Sequence, residues 1–219
     1  MAERVIAANH RDQVAGTPPL VTASTGHRRI SSRMRIDMRL SAPSPAPVLD
    51  LVDIRGEPIA IGGHGRRTLL SFFRDAACPF CNFRIYELTS LYPTLSTRGL
   101  DIVAVFSASQ AEVLRFAGQR PRPFSIAADP TSRAHEIYGI ERSFWRKWKA
   151  VLTRVPTLLR GMRLVGLAGL DTGNLMPADF LIDENGCIVE SWYGRDAGDR
   201  IPIARVERFL DRGQLRRAA

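Results

Sequence analysis

Thr68-Leu69-Leu70-Ser71-Phe72-Phe73-Arg74-Asp75-Ala76-Ala77-Cys78-Pro79-Phe80-Cys81 is the stretch that decides how this chain is read. Its first six residues form an apolar run of strand length, and from Pro79 to about Leu91 the pattern is helical. Two cysteines spaced C-x-x-C therefore fall where a strand hands over to a helix. A sulfur at a helix N-terminus faces N–H groups with no intrahelical partner and the positive end of the macrodipole, and both favour thiolate over thiol. Pro79 in the first turn gives up an N–H that had no partner there. Arg74, four residues ahead of Cys78, is a candidate source of further positive charge. The thiolate is the nucleophilic form of cysteine, so Cys78 and Cys81 are candidate redox residues. A structural zinc site is the alternative, but it needs a second ligand pair. The other cysteine is Cys187, and the four histidines (His10, His27, His64, His135) are scattered.

Outward from this centre the chain alternates between strand and helix patterns. Val48–Asp53 and Glu57–Ile61 read as a short hairpin around Arg55-Gly56. Gly99 is a helix stop, and Leu100–Phe106 is a second core strand rich in β-branched residues. Gln110–Gly118 reads as a helix, Phe124–Ala127 as a third strand, and Ser132–Tyr138 as a short helix closed by Gly139. Asp179–Asp183 and Ile188–Trp192 flank Glu184-Asn185-Gly186, and Asn-Gly between apolar runs signals a hairpin. A last helix covers Ile203–Leu210. The expected fold is an α/β sandwich with parallel and antiparallel strands. Residues 1–40 lack periodicity and read as a disordered arm, although Met34 and Met38 leave open a start at Met38. Ser41–Pro47 reads as a proline-set linker, so the folded domain is expected over 48–219.

The chain has 219 residues and a net charge of +9. Segment 141–176 holds seven basic and two acidic side chains, more than half of that excess. Two lysines against 29 arginines is a skew of composition, and no recognition motif accompanies it, so nucleic acid is not an expected partner. Three cysteines suit a reducing compartment. The N-terminus has no continuous apolar leader and the chain no long apolar span, so a cytoplasmic protein is expected.

The run from Pro47 to about Leu210 resembles the peroxiredoxin-like branch of the alkyl hydroperoxide reductase and thiol-specific antioxidant family. Four segments carry the likeness: Phe72–Cys81, Asp129-Pro130 through Tyr138-Gly139, Met176–Gly186, and the terminal helix. The resemblance implies a thioredoxin-like sandwich, a mixed central sheet with helices on both faces. It implies no cofactor and no metal. Cys78 would attack a hydroperoxide and become a sulfenic acid, Cys81 would resolve it as a disulfide, and a thioredoxin- or glutaredoxin-type dithiol would reduce the pair. Where the family has threonine and proline ahead of the reactive cysteine, this chain has Asp75 and Ser71. The arginine expected in the Asp129 segment aligns with Ser132, leaving Arg133 or Arg74 to supply the charge. Plain disulfide reduction is the alternative activity, and a non-catalytic redox-sensing or binding module the alternative class. Phe80, Met176 and Pro177 are the candidate substrate-lining residues. Pro177 is preferred over Pro156 because a strand and an Asn-Gly turn follow it. A cis bond before Pro177 would follow from the resemblance alone.

Glu141–Met176 reads as a basic amphipathic helical insertion, its apolar residues at i, i+3, i+4, i+7 from Phe144 to Val165 and broken at Pro156. It could cover the site or form a dimer contact, pack as a surface helix, or lie on an anionic membrane through 141–170. Asp75 is either a loop carboxylate or the proton acceptor for Cys81. His135 and Cys187 read as packing residues, and Gly62-Gly63-His64-Gly65 as a turn.

Overall fold

A computed structural model describes residues 39–63, 65–166 and 172–218. Residues 1–38 of the expected arm, His10, His27 and His64 lie outside these residues, as does 167–171 of the segment read as an insertion; Arg39 and Leu40 are described, with Leu40 N–H donating to Tyr193 Oη. Six strands form one sheet: β1 (Ser44–Pro45), β2 (Arg67–Phe73), β3 (Leu100–Phe106), β4 (Ser125–Ala128), β5 (Ala178–Ile182) and β6 (Cys187–Tyr193). Their order is β1-β6-β5-β2-β3-β4, with β2, β3 and β4 parallel and β5, β6 and β1 antiparallel. The helices are α1 (Pro79–Thr97), α2 (Gln110–Phe116), α3 (Arg133–Ile137), α4 (Phe144–Thr153), α5 (Val155–Val165) and α6 (Ile203–Ala218).

Side-chain alternation along β2 divides the interior into two cores. Leu69 and Phe73 join Ile85, Leu88, Val113, Val206 and Leu210, so α1, α2 and α6 cover one face. Leu70 and Phe72 join Ala134, Tyr138, Phe180 and Ile188 on the other, beneath α3 and the segment around Leu49. Every residue of β2 is buried, as expected of a central strand flanked on both edges and both faces. The mixed sheet with helices on both faces is the architecture read from the sequence.

Several boundaries differ. Helix α1 continues past Leu91 and through Pro93, which removes one bond to the Thr89 carbonyl, because Leu95 is buried in the first core and holds the last turns in place. The stretch read as a linker contributes β1. Ser44 and Pro45 pair with Ile188 and Cys187, and Ala46 N–H donates to Gly186 O at 2.9 Å. A proline is tolerated there because β1 is an edge strand. The hairpin expected at 48–61 shrinks to a Val52–Pro58 bridge. Helix α6 runs eight residues past its expected end at Leu210, to Ala218.

Candidate active site

Strand β2 ends at Phe73, and the loop Arg74–Ala77 turns the chain into α1, with Cys78 as its N-cap and Pro79 in its first turn. The loop is tied from within. Asp75 Oδ1 accepts from Ala77 N–H at 2.8 Å, and Asn82 Nδ2 donates to Ala76 O at 2.5 Å and to Cys78 O at 3.1 Å. Cys78 is fully buried and Cys81 is 2 % exposed; both are free thiols.

Burial pushes the Cys78 thiol up, but stabilisation of its thiolate outweighs that. The Cys81 S–H and backbone N–H donate to it and the Arg74 guanidinium attracts it, so it falls from 9.0 to about 6 despite the opposing Asp75 carboxylate. Burial pushes Cys81 well up, as do its bond to Cys78 and the charge there, against the pull of Arg74 and Arg200. The pair therefore holds one proton between two unequal sulfurs, the low one at the helix N-terminus.

Two guanidinium groups draw negative charge toward the dithiol, Arg74 on both sulfurs and Arg200 on Cys81. Arg74 Nη2 donates to Gly173 O at 2.6 Å and to Thr172 Oγ1 at 3.2 Å. Arg200, from the loop between β6 and α6, lies over the Phe73 ring with Cζ 3.9 Å from its centroid. Its Nη1 donates to Phe72 O at 2.8 Å and to Asp179 Oδ1 at 3.3 Å. Asp179 is fully buried on β5 and also accepts from Ser71 Oγ at 2.7 Å and Ile201 N–H at 2.8 Å. Arg74 Nε and Arg200 Nη2 are buried with no hydrogen-bond partner among the described residues. Buried N–H groups without a partner are uncommon, and Arg84 Nε and Trp192 Nε1 share that condition.

Helix α5 supplies the roof. An ideal Cβ on Gly161 of α5 would lie 2.1 Å from Pro79 O and 2.5 Å from Pro79 C, so this helix crosses directly over the start of α1. At the α4–α5 junction, Arg154 pairs with Asp196 at 2.9 Å and Asp199 at 3.5 Å, fastening the roof to the loop that carries Arg200. Gly198 in that loop faces Phe80, whose ring would stand 3.0 Å from an added Cβ.

Of the residues singled out from sequence, Arg74, Asp75, Cys78, Phe80 and Cys81 come together. Arg133 does not. Its side chain is exposed and lines a concavity with Val48–Leu51, on the side of the second core, because α3 turns it away from the dithiol. Pro177 and Met176 are buried one and two residues beyond the Phe72–Ala178 pair, at the sheet end where β2 runs into the cysteine loop. The Met176–Pro177 bond is trans: bonds from Met176 N–H to Glu141 O and from Gly194 N–H to Pro177 O hold the run extended. Pro156 lies in the first turn of α5. The Asp75 carboxylate bonds loop N–H groups of Ala77 and Gly173. His135 is a core residue, its ring bonded to Asp129 Oδ2 at 2.8 Å and Phe73 O at 3.0 Å. Cys187 sits at the opposite sheet end, paired with Pro45.

Arg200 was missed from sequence because its loop carries no pattern. One signal pointed to it: Asp179 within Ala178–Ile182 is a charge inside an apolar strand, and such a charge needs a buried partner.

A buried dithiol of unequal sulfurs at a helix N-terminus, on a mixed sheet of this topology, defines a thiol oxidoreductase of thioredoxin-like fold. Residues 44–191 match the AhpC/TSA family model, and the chain belongs to that family. No curated protein sequence matches it. Among solved structures it is similar to the peroxiredoxin-like protein from Aquifex aeolicus, with 16% identity over 80% of this chain and 88% of that one, TM-score 0.54. A Chlorobium tepidum thiol:disulfide interchange protein assigned as DsbE is 19% identical over 78% and 98%, TM-score 0.53. The Xanthomonas campestris bacterioferritin comigratory protein, described for its alkyl peroxide reduction activity, is 14% identical over 77% and 91%, TM-score 0.52. At these identities the likeness is one of fold.

Proposed function

We propose that this protein reduces hydroperoxides with Cys78 as nucleophile and Cys81 as resolving thiol. The observation that carries the reading is the dithiol itself: a Cys78 thiol drawn down to about 6 beside a Cys81 thiol pushed well up. At neutral pH the first is mainly thiolate and the second keeps its proton. Cys78 Sγ attacks one peroxide oxygen, the O–O bond breaks, and the other oxygen takes a proton and leaves as alcohol or water. The resulting sulfenic acid is attacked by Cys81 Sγ, which expels water and forms the disulfide. An external dithiol of thioredoxin or glutaredoxin type then reduces the pair by exchange. The unpartnered N–H groups of Arg74 and Arg200 would donate to the oxygens as negative charge builds on them.

A second reading, disulfide reduction without peroxide chemistry, is favoured by Asp75, whose carboxylate opposes negative charge at Cys78. Mass spectrometry of the reduced protein exposed to hydrogen peroxide or an organic hydroperoxide separates the two. Rapid Cys78-dependent oxidation is expected, with sulfenic acid trapped only in Cys81→Ser. Oxidation no faster than that of a free thiol, with ready exchange on disulfide substrates, would favour the reductase.

A further inference from the structure

Helix α4 is amphipathic the wrong way round for a helix packed on a core. At about 100° per residue, Phe144, Trp145, Trp148, Val151 and Leu152 gather in a sector of roughly 120°. Ala150, the buried residue of this helix, lies on the opposite side. The apolar sector faces solvent, with Trp145 81% exposed, Leu152 74% and Phe144 52%. Phe144 meets both tryptophan rings edge-on, with centroids 5.9 and 6.1 Å away. Val155 and Leu159 of α5 extend the surface, both exposed.

The charge carried by the two helices themselves has one sign. From Phe144 to Val165 the chain holds six basic and no acidic side chains. Arg146 and Arg154 pair with acidic groups, and Lys147 donates to Thr172 O. Lys149, Arg160 and Arg163 are exposed and make no ion pair among the described residues. A second copy meeting this face would press one cationic rim against another. An anionic bilayer matches both features, since tryptophan, phenylalanine and leucine enter the headgroup boundary and the basic rim meets lipid phosphates. No described helix is long and apolar enough to cross a membrane, which fits a surface pose.

We infer that the outer face of α4 and α5 docks on an anionic lipid surface through Phe144, Trp145, Trp148, Leu152 and Leu159, rimmed by Lys149, Arg160 and Arg163. Docking is independent of the peroxide reading, and Cys78→Ser should bind as the parent does.

Flotation of the full-length protein with phosphatidylcholine vesicles, with or without a quarter phosphatidylglycerol, tests it. Binding to the anionic vesicles alone is expected, weakening as salt rises, with a blue shift of tryptophan fluorescence. Lys149→Gln/Arg160→Gln/Arg163→Gln should weaken it about fivefold per charge removed. Trp145→Ser/Leu152→Ser should abolish it while leaving the circular dichroism spectrum unchanged. Equal binding to neutral vesicles would overturn the inference, as would no binding at all. A concentration-dependent dimer lost in Trp145→Ser/Leu152→Ser, without vesicle binding, would assign the face to a second copy instead.

Discussion

Replacing Gly161 with alanine tests whether α5 roofs the dithiol. In an open helix the change stabilises by about 1 kcal/mol, because glycine loses more backbone entropy on folding. At this position the added Cβ would stand 2.1 Å from Pro79 O, against 3.4 Å for an ordinary contact, so the helix must retreat by about 1.3 Å. The obstacle is the backbone at the start of α1, which cannot step aside as a side chain would. Overpacking of this kind costs about 1–3 kcal/mol, enough to reverse the propensity gain. The retreat should also open the cover over Cys78, now fully buried. Urea unfolding should show a lower midpoint with an unchanged slope, and iodoacetamide should alkylate Cys78 several times faster. A stabilised protein with unaltered alkylation would refute the packing of α5 on Pro79.

Asn82→Ala should destabilise the protein by about 1–3 kcal/mol in urea, since it strips the Asn82 Nδ2 donor from the Ala76 and Cys78 carbonyls at a buried loop. Stability of the reduced protein should also depend on pH through Cys78. Its folded value, about 6, lies below the ordinary 9.0, so the unfolded chain binds more protons in that window. Stability therefore rises from pH 6 to pH 9 and is lost as pH falls through the folded value. Urea midpoints of the parent measured against Cys78→Ser across that range should diverge in that sense.

How far the sequence could be read follows from where the physics is local. Strand β3 is bounded by Gly99 and filled with β-branched residues, and both ends were legible. The β5–β6 hairpin declared itself through Asn185-Gly186, and the break at Pro156 separates α4 from α5 as a proline in a first turn should. Cys78 was legible as a helix-terminal sulfur because strand and helix patterns meet there. What failed is what depends on tertiary partners. The helix read as far as about Leu91 runs on to Thr97 because the burial of Leu95 holds its last turns, and Ser44–Pro45 gains strand character only from β6. The charge beside the dithiol comes from Arg74 and from Arg200, more than a hundred residues away in sequence and brought in by Asp179. The roof over the cysteines depends on Gly161 meeting Pro79, an approach that no periodicity encodes.

The central claim, that Cys78 is the poised nucleophile and Cys81 its protonated partner, is tested most directly by titrating thiolate ultraviolet absorbance. The reduced protein would be compared with Cys78→Ser, Cys81→Ser and Arg74→Gln. A first step with a midpoint near 6 is predicted, absent in Cys78→Ser and moved upward in Arg74→Gln. A first step near 9.0, or one that survives in Cys78→Ser and vanishes in Cys81→Ser, would contradict the account.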